Sequence, residues 1–175
     1  MTIDERKGGD AMTHNMEAIT EDVVYEWDML RWTYEKLRYE AGELPLPEVT
    51  DPRTLTEYSV GTGRDDRLRS AMLESFLLHA RTLRDFLCHD KKRWDDDVLA
   101  GDFFKVPETW TKVRPQLGPY LTQNKMRLDK TLAHISYARL RFRANDEWDI
   151  SAVLRELDLI WRAFWAAQLP EESVS

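Results

Sequence analysis

Arg127 and His134 are the pair whose types and spacing best suit chemistry in this chain. Seven positions is two helical turns, so on one helix both side chains can reach the same small anion from the same side. A guanidinium keeps its charge and offers paired donors to phosphate oxygens, while an imidazole with an ordinary pKa near ~6.5 can give or take a proton at neutral pH. Such a pair suits RNA cleavage without a metal, with His134 as general acid or base and Arg127 stabilising the charge that develops. Both lie in a cationic stretch: from Lys125 to Arg143 there are six Lys and Arg residues against the single acid Asp129. At about 100° per residue, Arg127, Lys130, His134 and Arg141 fall within an arc of about 60° along one edge of the apolar face. Lys130 and Arg141 are therefore the substrate-binding candidates.

The same residues have a plainer reading. A histidine at the margin of an apolar helix face commonly holds a structural hydrogen bond, and arginines beside helices pair with acids or water. His79, inside an apolar stripe, reads as a core histidine bonded to a neighbouring helix, and His89, in CHDKKRWDDD, as a surface residue. No helix carries a His or Glu pair at metal-binding spacing. With Cys88 the one cysteine, neither an internal disulfide nor a thiolate zinc site can form. Neither a metal nor a cofactor is expected.

An arginine, an intervening LDKTLA and a histidine on a late helix of an all-α chain resemble the signature of HEPN domains. The resemblance implies a metal-independent endoribonuclease, or an RNA- or nucleotide-binding module, of toxin-antitoxin or defence type. It also implies pairing across a dimer, so that two such motifs share one site.

The elements that must position these residues are helices. Val23, Trp27, Leu30, Tyr34, Leu37 and Ala41 recur at spacings of four and three, giving a helix that opens near Thr20 and closes at Gly42. ELPLPEVTDPRTL then breaks the pattern with three prolines, leaving a connection over 42–64. Thr62 with Asp65 reads as a capping box for a second helix, with Leu68, Met72, Phe76, His79, Leu83 and Phe86 on one face. A second strip of Leu73, Leu77, Ala80 and Leu87 predicts burial on two sides. DDDVLAGDFF and PETWTKV read as short helical pieces. A third long helix is expected over 122–144, central in the assembly and closed by Asn145. Asp149 caps a fourth, with Ile150, Val153, Leu154, Leu157, Ile160, Trp161, Phe164 and Trp165 on its apolar face and Pro170 as its stop. The expected fold is thus all-α: an antiparallel bundle of four main helices, with short extra helices between the second and third. Residues 1–15 are expected as a loose tail, 16–170 as one domain and 171–175 as a second tail.

Seven glycines and seven prolines in 175 residues, with 33% charged residues, fit a stable helical protein and exclude a disordered one. No stretch approaches the roughly 18 apolar residues needed to cross a bilayer, and the polar start lacks a signal peptide's apolar region. No membrane partner and a cytoplasmic location are expected. RNA is one expected partner. The other is a homodimer mate or an antitoxin-like protein, because a formal charge of −7 repels RNA at long range. A non-catalytic interaction or dimerisation module is therefore the alternative to the ribonuclease. Trp27, Trp161 and Trp165 fall on core faces, whereas the sequence leaves Trp32, Trp94 and Trp110 open. If several tryptophans are exposed together, a protein partner explains them better than RNA does.

Overall fold

The computed structural model describes residues 8–42, 66–133 and 147–168, with side chains within 16–39, 41–42, 67–130 and 147–168. All their regular elements are helical. They are α1 (Gly8–Glu40), α2 (Asp66–Cys88), a 3-10 turn (Ala100–Phe103), α3 (Glu108–Val113), α4 (Pro119–Ala133) and α5 (Ile150–Gln168). The fold class read from helical periodicity is therefore all-α, with no strand among the described residues.

Helix α1 buries Val23, Trp27, Leu30 and Leu37, the face its spacing predicts, and ends at Gly42, whose φ of 74° closes the helix in the left-handed region. It begins much earlier than Thr20, so 8–15 are helical rather than a loose tail. The Thr20 hydroxyl donates to the Met16 carbonyl at 2.7 Å, one turn back, which is the bond of an interior threonine and not of a cap. Thr62, Asp65 and the 43–64 part of the connection lie outside the described residues, as do Asn145 and Pro170.

Helix α2 is buried on two sides, as expected. Phe76, Leu83 and Phe86 form one strip, and Leu77, Ala80 and Leu87 the other. It packs against α1, α4, α5 and the 3-10 turn. Among the described residues the central position therefore belongs to α2 rather than to α4; the 134–144 part of the expected third long helix lies outside them. The reason is visible in α4, which buries Leu121 and Leu128 but turns Met126 and Lys130 to solvent.

Helix α5 buries Val153, Leu157, Ile160, Trp161 and Phe164, and its cap is the expected one: Asp149 Oδ1 accepts the Ala152 amide at 2.8 Å. Trp27 of α1 stacks on Trp161 with ring centres 4.8 Å apart. The Phe164 ring meets Phe86, Phe103, Phe104, Trp110 and Trp165 at 5.2 to 6.1 Å, mostly edge to face. Trp110 of α3, fully buried, gives its indole N–H to the Leu87 carbonyl at 2.8 Å, satisfying the polar tip of an otherwise apolar side chain.

Helix α4 starts at Pro119, ahead of the predicted Thr122, because its N-terminal amides find their acceptor on another helix. Glu156 of α5 accepts the Tyr120 and Leu121 amides on its two carboxylate oxygens, each at 2.9 Å. Tyr120 returns the link by accepting the Asp149 amide on its hydroxyl at 2.8 Å. Gly118 leaves room for this carboxylate, since a Cβ there would collide with the Glu156 side chain and push it aside. Glu156→Ala is expected to lower stability by about 2–3 kcal/mol, the loss of charge-assisted bonds to two otherwise orphaned amides. Gly118→Ala should cost a similar amount in a urea titration, because its methyl group displaces the same carboxylate. A loss below 0.5 kcal/mol for both variants, about that of an ordinary surface substitution, would show that the clamp contributes nothing.

Candidate functional site

Arg127 leaves α4 on the inner side, next to the fully buried Leu128, and only 5% of it is exposed. Its guanidinium lies 4.0 Å from the centre of the Trp148 ring, and Nη1 donates to the Glu147 carbonyl at 3.0 Å. The side chain thereby ties α4 to the segment that leads into α5. Lys130, three residues on, is exposed. One of these two cations is therefore buried and the other faces solvent. His134 and Arg141 lie outside the described residues.

A charged network between α2 and α4 went unnoticed in the sequence. Arg84, 2% exposed, is hydrogen-bonded through Nη2 to Asp129 at 2.6 Å and through both Nε and Nη2 to Asp85. Arg81 approaches the same Asp129 oxygen at 3.6 Å, and His89 lies 3.5 Å from Asp85. Burial alone would lower the Arg84 pKa, but the hydrogen bonds it donates to Asp129 and Asp85 and their charges outweigh it and hold the guanidinium above its ordinary value. The signal was present. Leu73, Leu77, Ala80 and Leu87 leave a gap in their rhythm of four and three, and Arg84 fills it.

His79 is 8% exposed, and its Nδ1 sits 2.7 Å from Glu26 Oε2 of α1. Tyr25 packs edge to face on its ring. This is the core histidine bonded to a neighbouring helix that its place in the apolar stripe predicts.

Beside this contact a groove of about 720 Å³ runs between α1, α2 and residues 93–99. Its floor includes Val23, Leu83 and Phe86. Its rim carries three large side chains that remain open to solvent: Tyr25 at 57%, Leu78 at 51% and Trp94 at 65%. The tight turn that presents Trp94 is held by Asp97, whose carboxylate accepts the Arg93 and Trp94 amides, each at 2.8 Å. Asp22, Glu26, Asp85 and Asp97 also line the groove, against Arg81 and Arg93. Of the other tryptophans left open by the sequence, Trp32 is 48% exposed on α1 and Trp110 is sealed in the core.

Among the described residues no group of three or more His, Cys, Asp and Glu side chains could hold a metal ion, and no helix is long and apolar enough to cross a membrane. Comparison of the chain with protein-family models, with curated proteins and with solved structures returns no match.

Proposed function

We propose that the chain is a non-catalytic protein-interaction module, built on the antiparallel four-helix arrangement expected from its sequence, and that its groove docks an amphipathic helix with basic edges from a partner protein. The observation that carries this reading is the joint exposure of Tyr25, Leu78 and Trp94 on the rim of one groove. Large apolar and aromatic groups gathered in this way suit protein contacts, where buried aromatic anchors supply most of the binding energy. The lining supplies the partner's charge: four carboxylates against two guanidiniums, on a chain whose overall charge is −7. The engagement of Arg127 with Glu147 and Trp148 adds support, because a guanidinium committed to holding two elements together needs no substrate to explain it.

The test uses two designed helical peptides with the same leucine pattern, one with lysine and one with glutamate on the polar face. The lysine peptide should bind the whole chain, and Trp94→Ala or Leu78→Asp should weaken it about tenfold or more. Equal binding of both peptides, or binding unchanged by either substitution, would overturn the reading. A chain that dimerises in sedimentation, and loses the dimer with Leu78→Asp, would assign the groove to a second copy instead.

The HEPN resemblance carries a second reading, a metal-independent endoribonuclease or RNA-binding module of toxin or defence type. The exposed Lys125 and Lys130 on α4 favour it. RNA cleavage by the purified chain that disappears with His134→Ala would establish it over docking, and cleavage indifferent to that change would remove it.

A further inference from the structure

We propose that the cavity beside the C-terminal end of α2 is a binding site for a phosphate monoester dianion. The cavity, about 530 Å³, is bordered by Arg84, His89, Lys112, Arg114 and Lys125, from α2, α3, the link that follows α3 and α4. Among the described residues no carboxylate lines it. The volume falls in the range of small-molecule sites, and the polar lining is that of an anion site rather than an apolar one.

The balance of charge decides the class of ligand. The carboxylates that face these cations stand outside the lining: Asp85 and Asp129 hold Arg84 and Arg81, and Asp90 holds Arg114 at 2.9 Å. Those groups neutralise one another. Lys112 and Lys125 make no ion pair among the described residues, so two positive charges from separate helices remain for one ligand. Two charges match a dianion better than a carboxylate, and they are presented by compact ammonium groups that suit phosphate oxygens. Cys88, also on the lining, adds no opposing charge at neutral pH, because burial pushes its thiol up to about 11.

A second, independent observation points the same way. Arg84 is almost fully buried, and its Nη1 has no hydrogen-bond partner, although Nε and Nη2 are both bonded to carboxylates. A buried guanidinium donor left unsatisfied is costly, and such a group commonly marks a place where something else is bound. Arg84 borders the cavity, and in the proposed complex a phosphate oxygen is the acceptor that Nη1 lacks. The site adjoins the groove of Tyr25, Leu78 and Trp94 at His89, which lines both, but it contains none of those three side chains and does not rest on the docking reading.

The experiment is titration calorimetry of the whole chain with inorganic phosphate and with adenosine monophosphate, at an ionic strength held constant with sodium chloride. Saturable binding of one or both is expected, weakened about tenfold in Lys112→Ala/Lys125→Ala. Both lysines are solvent-facing, and unchanged helicity by circular dichroism confirms that the variant folds. Lys91→Ala/Lys105→Ala, which removes two exposed lysines that do not border the cavity, should bind as the parent does. Tighter binding of the nucleotide would assign the phosphate to a nucleotide, and equal binding to the free ion. Absence of saturable binding by either compound would overturn the proposal. Equal losses in the two double variants would also overturn it, since they would signify general attraction to lysines.

Discussion

Phe164→Ala is expected to lower the stability of the folded chain by about 3–5 kcal/mol, the range for removing a large aromatic group from a packed core. Phe164 is fully buried, and its ring is where residues from α2, the 3-10 turn, α3 and α5 meet. Its loss leaves Phe86, Phe103, Trp110 and Trp165 facing a void that none can fill without leaving its own partners. Trp110 is also fixed by its bond to the Leu87 carbonyl. A urea titration followed by tryptophan fluorescence measures the change, with Leu159→Ala, at a position 59% exposed, as the near-neutral reference. A loss under about 1 kcal/mol would mean that the cluster collapses freely and is not a rigid junction.

Asp129→Ala is expected to cost about 3 kcal/mol, at the lower end of the range for breaking a buried ion pair, because Arg84 keeps Asp85 as a partner. The two ends of the pair are not equivalent. The Arg84 side chain is 3% exposed and that of Asp129 30%, so stranding the cation is worse than stranding the acid, which water can reach. Arg84→Met, which keeps most of the volume and leaves Asp129 to solvent, should therefore cost less. The double variant Arg84→Met/Asp129→Leu should recover most of the stability lost in Asp129→Ala. Equal losses for the two single variants, measured by the same titration, would contradict the asymmetry.

Most of the fold was legible because burial follows helical periodicity. The apolar faces of α1, α2 and α5 are those expected except at Leu68, which stands exposed near the start of α2, and Asp149 caps α5 through the bond its residue type predicts. What was not legible depends on partners distant in sequence. The start of α4 carries no cap of its own, because Glu156 supplies it from a helix more than thirty residues later. Thr20, near which the sequence opens α1, is instead an interior residue bonded to the turn behind it. The same holds for the candidate site. Angular placement on α4 set Arg127 at the edge of the apolar face, but it could not tell that Trp148 and the Glu147 carbonyl would claim the guanidinium. The buried Arg84 was recoverable in principle from the interrupted strip on α2. Its acidic partner on α4 was not.

The cross-helix clamp also governs which backbone protons are sheltered. Amides in the first turn of a helix have no intrahelical acceptor and ordinarily swap with solvent deuterium almost at once. Those of Tyr120 and Leu121 are held by a side chain of α5. Their exchange therefore waits for the last helix to lift away rather than for α4 to fray, so these two protons time the separation of α4 from α5.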